Sequence, residues 1–388
     1  MTKPLEGIVM LEFCQFMAGP SAGLKLADLG ARVIKIERPV HGESGRQIAI
    51  KNIFIEGNSL VFHTINRNKE SYAADLKNPA DLAMVKKLIA HADIITHNFR
   101  AGVMEKLGLD YGSAKAINPR IVYGVVTGYG NNGPWALKPG QDLLVQSLSG
   151  LTYLSGTRND GPVPFGLAVT DIFCGAHFAQ GLLAALLKRA KTNKSVLVEV
   201  SLLESALDMQ FEVITTYLND GGKLPMRGAA NGTGHAYLNA PYGVYRTKDS
   251  YLAMAMGDLP AIGDAIGCKI TVLFPDPARW FGQRDDIAKH IADCLREQTT
   301  SYWVALLESL KIWCSAVFNY RDVLEHEGYK SLEMAQEVQL SGDNTLTTTR
   351  CPIRINRQKI YSPVAAPLAG ADTDSINHEF NLTTHETT

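Results

Sequence analysis

Apolar residues in this chain fall into two patterns that predict two kinds of secondary structure. Short continuous apolar runs predict buried strands, and they cover residues 8–11, 31–37, 93–97, 119–126 and 195–200. Apolar residues that recur every three or four positions predict helices, near residues 24–30, 80–92, 103–107, 141–148, 172–187, 202–218, 287–295 and 302–310. Strands that alternate with helices indicate an α/β protein with a parallel sheet and right-handed crossovers.

The composition changes after residue 220 and predicts a second, smaller α+β domain. Residues 221–234 are polar and rich in glycine, which is typical of a domain boundary. Residues 242–256 alternate on both sides of a turn at 247–250 and predict a hairpin. Residues 343–350 form a turn-rich return, and the polar tail after residue 371 is expected to be loose. The predicted division is therefore 1–220, 221–330 and 331–388, with the last segment returning to the large domain.

Asp171 stands where an apolar run meets the longest helical pattern of the chain. Ile172, Phe173, Ala176 and Leu182 follow it at helical spacing. The free N–H groups and the dipole at a helix start stabilise an anion there. One interpretation makes Asp171 an N-cap, because aspartate is a favoured cap. The other makes it a poorly solvated carboxylate nucleophile.

Composition and charge exclude several classes of function. The 388 residues are 46% hydrophobic and 20% charged, as in an ordinary globular protein. Lys plus Arg is 38 and Asp plus Glu is 39, so no charge excess points to nucleic acid or an anionic membrane. We expect no signal peptide and no membrane span. The six cysteines form no C-x-x-C pair, and we expect reduced thiols in a cytoplasmic protein, with Cys174 in the core.

Common catalytic and binding motifs are missing from the sequence. The first strand–helix–strand unit offers Gly19 and Gly23 in place of G-x-G-x-x-G, although Glu37 stands where a ribose-binding acid would. There is no G-x-S-x-G elbow and no P-loop. No histidine pattern predicts a metal site, and none is expected. His177 lies well round the helix from Asp171 and is interpreted as a packing residue.

Several motifs together resemble the class III CoA-transferases, the family of formyl-CoA transferase and carnitine CoA-transferase. The likeness covers most of the chain and is clearest over residues 5–215. The matching pieces are 4–9, Gly19-Pro20, 30–39, Asn68-Lys69, 75–77, 98–100, 104–108, 117–123, 140–142, Asp171, 181–189 and 198–202. The resemblance implies a Rossmann-like large domain that binds coenzyme A, an interlocked homodimer, and a CoA thioester as substrate with no further cofactor.

The resemblance also implies a role for each matching residue. Asp171 stands at the position of the family's nucleophile. The implied coenzyme A contacts are Met17, Ala18, Arg38, Leu76, Lys77, Asn98, Phe99, Arg100, Lys106, Pro139, Gly140, Gln141 and Asp142. Arg38 and Lys106 would bind phosphates of the coenzyme. Residues 76–77 and 98–100 would hold its nucleotide. Residues 139–142 would flank the pantetheine arm. Met17 and Ala18 would offer backbone groups to the thioester.

The implied chemistry moves coenzyme A to a small carboxylic acid through an aspartyl mixed anhydride and an aspartyl-CoA thioester. This sequence departs from formyl-CoA transferases at Met17, where they have glutamine, and at Ala101, where they have proline. Met256-Gly257-Asp258 stands where they have a run of glycines that forms a lid over the intermediate.

Two alternatives to CoA transfer stay open at this point. Racemases of 2-methylacyl-CoA in the same family use a histidine where Gln141 stands, and a glutamine cannot shuttle a proton. A non-catalytic acyl-CoA-binding protein would keep the pocket without turnover. The sequence names neither donor nor acceptor, and formate, oxalate and succinate are guesses from the family.

Overall fold

A computed structural model describes residues 3–229, 232 and 234–382. The chain forms two compact units, of which the first comprises Met1–Val145, Ala168–Met209 and Leu332–Thr388. The second comprises Gln146–Leu167 and Gln210–Ser331. The chain passes from the first unit to the second after Met209 and returns after Ser331, whereas the predicted boundaries are 220 and 330. The segment 146–167 shows no change of composition, so its place in the second unit could not be predicted from sequence.

The first unit is built around a six-stranded parallel sheet. Its strands and helices up to residue 209 are β1 (Val9–Glu12), α1 (Ala18–Asp28), β2 (Arg32–Glu37), β3 (Phe54–Ile55), β4 (Asn58–Ser59), α2 (Leu60–Asn66), β5 (Glu70–Ala73), α3 (Pro79–His91), β6 (Ile94–His97), α4 (Val103–Leu107), α5 (Tyr111–Ile117), β7 (Val122–Thr127), the first half of α6 (Asp142–Leu148), α7 (Val169–Thr192), β8 (Val196–Ser201) and α8 (Leu202–Met209). The order in the sheet is β5-β2-β1-β6-β7-β8, and all five pairings are parallel.

This order confirms the predicted Rossmann-like sheet. All five predicted strands are present, and β5 is a sixth that the sequence analysis missed. The chain builds outward from β1 in one direction to β5, then returns to place β6 on the other side of β1. Such a reversal opens a crevice at the carboxyl ends of the two central strands, where α/β proteins bind ligands.

The second unit contains an antiparallel sheet with helices packed on it. Its elements are α9 (Phe211–Asn219), β9 (Gly243–Arg246), β10 (Tyr251–Met254), α10 (Leu259–Ala265), α11 (Ile270–Leu273), α12 (Arg284–Leu295), α13 (Thr300–Ser309), β11 (Cys314–Ala316), α14 (Tyr320–Glu325) and α15 (Glu327–Leu332). The predicted hairpin is confirmed as β9 and β10. The prediction of a single helix over 202–218 is wrong, because the helix is interrupted at Gln210, between α8 and α9.

The prediction of six reduced cysteines is wrong for two of them. Cys268 and Cys294 are joined by a disulfide, while Cys14, Cys174, Cys314 and Cys351 are free. The spacing of the cysteines in the sequence could not predict this disulfide, because the pairing depends on how the helices of the second unit pack. Cys174 is buried, as predicted.

The C-terminal segment returns to the first unit as β12 (Ala335–Gln339), β13 (Thr345–Thr349), β14 (Cys351–Ile355), β15 (Gln358–Ile360) and α16 (Thr373–Glu379). The prediction of a loose tail after residue 371 is wrong up to Leu382, because Ile376 and Leu382 are buried. Asp372 accepts a hydrogen bond from the Ser71 N–H, and Tyr72 donates to Asn377, so α16 is bonded to β5. The rest of the tail lies outside the described residues.

Helix α7 lies in the core of the first unit. It packs against α1, β7, β8 and α8. By length and composition alone it could also cross a membrane, with a mean hydropathy of 1.3. Core helices of soluble proteins pass the same test, and 44% of its apolar window is buried inside the protein.

A buried ion pair offers a test of how the first unit is held together. Arg67 donates to both carboxylate oxygens of Asp28 over 2.6 and 2.9 Å, and both residues are almost inaccessible. Arg67→Met leaves the Asp28 carboxylate buried without its cation. We expect the free energy of unfolding, measured by urea denaturation, to fall by about 3–5 kcal/mol.

The control for this prediction is Arg120→Met, the same change on an exposed side chain, with an expected effect below about 0.5 kcal/mol. Replacing both partners, as Arg67→Met with Asp28→Leu, should recover part of the loss, because no charge is then stranded. Equal stabilities of Arg67→Met and Arg120→Met would contradict the assigned role of the pair.

Candidate active site

The predicted site residues of the first unit gather at the carboxyl edge of its sheet. Met17 and Ala18 follow β1, Arg38 follows β2, Leu76 and Lys77 follow β5, and Asn98, Phe99 and Arg100 follow β6. These four strands are neighbours and run in the same direction, so their carboxyl ends share one edge. The loops after β1 and β6 flank the point where the strand order reverses.

The loop after β1 is held by side chains from two other segments. The Asn98 side chain accepts from the Gln15 N–H over 2.9 Å and donates to the Gln15 carbonyl over 2.7 Å. The Glu43 carboxylate accepts from the Phe16 N–H over 2.8 Å. Phe16 has a φ of 66°, a left-handed conformation that a residue with a side chain rarely adopts. These bonds keep a strained loop in one shape.

A buried cluster of charges lies beneath this loop. Lys35 donates to the Cys14 carbonyl over 2.7 Å and pairs with Glu12 and Glu43, each at 3.1 Å. Lys69 donates to both oxygens of Glu12. Burial would lower the pKa of Lys35, but Glu43 and Glu12 raise it above its ordinary value. Burial lowers the pKa of Lys69 to about 8, against the opposing attraction of Glu12.

Helix α1 begins directly after the loop and packs closely on α7. The first N–H groups of a helix have no intrahelical acceptor, and the N-cap residue of α1, Met17, makes no side-chain capping bond to them. A Cβ at Gly175 would lie 2.1 Å from the Ser21 hydroxyl oxygen and 2.8 Å from the Ala18 carbonyl oxygen. Glycine at position 175 therefore lets the first turn of α1 approach α7 one helical turn beyond Asp171.

Asp171 is the third residue of α7 and is not its N-cap, which is Ala168. The capping interpretation is therefore wrong. Asp142 caps the start of α7 instead, because its Oδ1 accepts hydrogen bonds from the backbone N–H and from the hydroxyl of Thr170, over 2.8 and 2.7 Å. Burial raises the pKa of Asp171 to about 7, and the negative charge of Asp142 adds to the shift. Two carboxylates thus lie close together at this helix start.

The segment that carries Asp142 is fixed against the end of β7. A Cβ at Gly128 would lie 2.7 Å from the Gly140 Cα, so the two backbones touch and neither position has room for a side chain. The Tyr129 hydroxyl donates to the Pro139 carbonyl over 3.2 Å. Pro139, Gly140 and Gln141 are exposed beside this contact. Their placement brings the predicted 139–142 segment into the neighbourhood of Asp171.

Exposed cations follow the strands at the same edge of the sheet. Arg38, Lys77 and Arg100 come shortly after β2, β5 and β6 and are exposed, and Lys106 is exposed on α4. Leu76 and Phe99 are half-buried beside them. Arginine binds phosphate through a planar fork and lysine through a mobile point charge, so this rim suits a phosphate-rich ligand.

His177 does not reach Asp171, in agreement with the sequence interpretation. Its Nδ1 lies 3.2 Å from the Ser205 hydroxyl oxygen, and its Nε2 lies 3.2 Å from an Asp208 carboxylate oxygen. The carboxylate of Asp171 therefore lacks a histidine base from this helix.

Sequence reasoning missed the groups that shape the loop after β1. It assigned Asn98 to nucleotide binding, whereas both ends of that side-chain amide bond the Gln15 backbone. It gave no role to Lys35 or Glu43. The only signal was the presence of charged residues in a strand that is otherwise apolar, at Lys35 and Glu37.

The lid segment implied by the resemblance lies in the second unit. Met256 and Gly257 follow β10, and the Asp258 carboxylate caps α10 by accepting from the Ala261 N–H over 3.2 Å.

Comparison with known proteins identifies the family. The family described as CoA-transferase family III matches residues 5–373. Succinyl-CoA:glutarate CoA-transferase of Mus musculus is 30% identical over 97% of this chain and 86% of its own length. Succinate--glutarate CoA-transferase of Agrobacterium fabrum is 36% identical over 66% of this chain and 64% of its own.

Solved structures agree with the sequence comparisons. The crystal structure of a CAIB/BAIF family protein from Brucella suis matches with a TM-score of 0.83 at 28% identity, over 98% of this chain and 100% of that one. The chain therefore belongs to CoA-transferase family III and is an enzyme that transfers coenzyme A.

Proposed function

We propose that this enzyme moves coenzyme A from an acyl-CoA donor to a small carboxylic acid, with Asp171 as the covalent nucleophile. The observation that carries the proposal is the placement of Asp171. It is a poorly solvated carboxylate in the first turn of α7, beside Asp142, and one helical turn from the contact between α7 and the start of α1.

The first half-reaction releases the donor acid. A carboxylate oxygen of Asp171 attacks the thioester carbon of the donor, the C–S bond breaks, and coenzyme A leaves as thiolate. The product is a mixed anhydride. The thiolate then attacks the Asp171 carbonyl carbon and expels the donor carboxylate, which leaves an aspartyl-CoA thioester.

The second half-reaction repeats these steps in reverse order with the acceptor. Its carboxylate attacks the aspartyl thioester and gives a new anhydride and free thiolate. The thiolate attacks the acceptor's acyl carbon, forms the new acyl-CoA and restores the Asp171 carboxylate. No proton is transferred in any step, which agrees with a site where no histidine of α7 meets the nucleophile.

The electrostatics of Asp171 favour this chemistry. Burial and the Asp142 charge both disfavour its ionised form, as the pKa of about 7 records. Anhydride and thioester formation replaces that charge with a neutral group. The same surroundings that destabilise the free carboxylate therefore favour its covalent adducts, and the raised basicity makes the carboxylate a better nucleophile.

The start of α1 is the proposed source of oxyanion donors. Each step passes through a tetrahedral intermediate whose oxygen needs N–H groups. The Thr170 N–H at the start of α7 is already taken by Asp142. The first N–H groups of α1 have no side-chain cap, and the loop before them is held rigidly by Asn98, Glu43 and Lys35. Preorganised donors of this kind stabilise a transition state without rearrangement.

The other implied residues hold the coenzyme. Arg38, Lys77, Arg100 and Lys106 would bind the phosphates and nucleotide, with Leu76 and Phe99 as apolar contacts. Pro139, Gly140 and Gln141 would flank the pantetheine arm on its way to Asp171. Met17 and Ala18 would meet the thioester.

The names of the relatives favour a dicarboxylic substrate. The mouse and Agrobacterium relatives are named for succinate and glutarate, and a relative from Acetobacter aceti, 31% identical, is named for acetyl-CoA and oxalate. We propose succinyl-CoA as the first donor to test, with glutarate and oxalate as acceptors. The implied interlocked homodimer in the cytoplasm stays a prediction, and light scattering in solution would measure its mass.

The first prediction for the proposed mechanism concerns the nucleophile. Asp171→Asn keeps the size of the side chain but removes the attacking carboxylate, so CoA exchange between succinyl-CoA and glutarate should fall by about 10³-fold or more. Binding of CoA esters, measured by calorimetry, should change little. Incubation of the native enzyme with donor alone should place a CoA adduct on the peptide that contains residue 171, and the variant should show none.

Stability gives this variant an internal control. The pKa of Asp171 is raised in the folded state, so its ionisation destabilises the fold as pH rises from about 4 to about 7. Asp171→Asn removes that penalty and should unfold at an equal or higher temperature at about pH 8. Full exchange activity in a folded variant, or an adduct on a different peptide, would refute the mechanism.

The second prediction is a pH profile. Because Asp171 attacks as the carboxylate, kcat/KM for transfer should fall as pH decreases through about 7. Asp142→Asn removes the neighbouring charge but keeps an oxygen that can accept from Thr170. That variant should show the same fall at lower pH. An unchanged midpoint in Asp142→Asn would argue that another group controls the profile.

The third prediction separates positioning from binding at Asn98. If Asn98 shapes the loop after β1, Asn98→Ala should lower kcat by about tenfold and leave the KM for acyl-CoA nearly unchanged. Asn98→Asp keeps the bond to the Gln15 N–H and should be intermediate. A rise in KM at constant kcat would instead assign Asn98 to the nucleotide.

A further inference from the structure

Three side chains that can bind a metal ion come together in the second unit. The Sγ atoms of Cys268 and Cys294 and a ring nitrogen of His290 all lie within 4.8 Å of one another. None of them belongs to the site around Asp171. No metal site was predicted from the sequence, because these residues form neither a paired-histidine pattern nor a C-x-x-C motif. Here the third ligand comes from 22 residues earlier in the chain.

The packing of the second unit fixes the positions of these three residues. His290 and Cys294 are four residues apart on α12 and therefore lie on one face of the helix. Both are half-buried beside the core residues Ile287, Ile291 and Leu295 of the same helix.

Cys268 reaches the same place from the turn that follows α10. Gly267 has a φ of 70°, and the Cys268 N–H then donates to the Gly263 carbonyl over 2.7 Å. This turn directs the buried Cys268 thiol at α12, where its Sγ lies 3.6 Å from the His290 carbonyl oxygen.

We propose that the reduced chain binds one zinc-class cation through Cys268, Cys294 and His290. Two thiolates and an imidazole form a donor set that prefers borderline-soft ions such as Zn²⁺ over Mg²⁺ or Ca²⁺. Tetrahedral zinc holds two sulfurs about 3.8 Å apart, so the two sulfurs, which are bonded in the oxidised chain, have to move apart after reduction to bind one ion. Three protein ligands leave the fourth position for water.

Disulfide formation and metal binding exclude each other at this site. Reduction by a dithiol adds two electrons and two protons to the Cys268–Cys294 bond, and the dithiol becomes its own disulfide. Zn²⁺ then displaces one proton from each thiol as it binds both sulfurs. The site therefore has an oxidised state that cannot ligate and a reduced state that can.

Cobalt substitution tests the proposal on the full chain. The protein is reduced with dithiothreitol, the reductant is removed under anaerobic conditions, and the protein is then titrated with Co²⁺ alone. We expect one Co²⁺ per chain, with thiolate charge-transfer bands and the visible bands of tetrahedral cobalt, and displacement by Zn²⁺. The chain oxidised to the Cys268–Cys294 disulfide should show neither set of bands.

Variants assign the ligands. Cys294→Ser should abolish the charge-transfer bands, and His290→Gln should weaken binding by at least about tenfold. Cys314→Ser, which changes a free cysteine outside the group, should bind as the native chain does. Bands that persist in Cys294→Ser, or cobalt bound without thiolate bands in the native chain, would overturn the proposal.

A second measurement keeps the test independent of variant folding. Zn²⁺ should slow alkylation of Cys268 and Cys294 in the reduced native chain, with Cys314 as the internal reference, read from peptide masses. Equal alkylation of Cys294 with and without Zn²⁺ would refute the site even if Cys294→Ser failed to fold. Because neither measurement uses transferase activity, their outcome is separate from the proposed function.

Discussion

The structure depends on a set of buried charges at the carboxyl end of β1. Glu12, Lys35 and Lys69 are inaccessible to solvent, and each pairs with an oppositely charged group. Glu43 and the buried Arg46–Glu37 pair extend the set, so that three carboxylates face three cations. A buried charge without its partner costs several kcal/mol, so the set has few arrangements that satisfy it. This constraint determines the path of the loop after β1, whose Cys14 carbonyl and Phe16 N–H are bound by Lys35 and Glu43.

The same loop lies where the sheet reverses its strand order, and that position explains why the site forms there. The helices that follow β1 and β6 diverge from a crevice between two neighbouring strands. Asn98 at the end of β6 bonds the Gln15 backbone after β1 and so joins the two walls of the crevice. The cations on the outer loops and the carboxylates at α7 then face one edge of one rigid sheet. The strand order determines where the crevice forms, and buried polar contacts determine the conformation of the loops that line it.

Much of this fold could be predicted from sequence, because parallel strands are continuous apolar runs and α7 has a strong helical period. What could not be predicted depends on contacts distant in sequence. The break at Gln210 follows no proline or glycine, and the attachment of α16 rests on hydrogen bonds that Ser71 and Tyr72 of β5 donate to Asp372 and Asn377. At the site, the sequence and the family resemblance marked Asp171 and the residues around it. The bonds of Asn98 and the capping of α7 by Asp142 needed coordinates, since each joins residues at least 28 positions apart.

The pairing of Asp142 with Asp171 shows how one contact can serve structure and reactivity together. A helix start normally favours a carboxylate in its first turn and so lowers its pKa. Here the carboxylate that accepts from the Thr170 N–H belongs to Asp142, and Asp171 is left buried beside that charge with a raised pKa. The cap thus stabilises α7 while it destabilises the ionised form of the residue one position further along. Under the proposed mechanism that destabilisation is relieved each time Asp171 is acylated, so the capping bond of α7 would contribute directly to the driving force for the covalent intermediate.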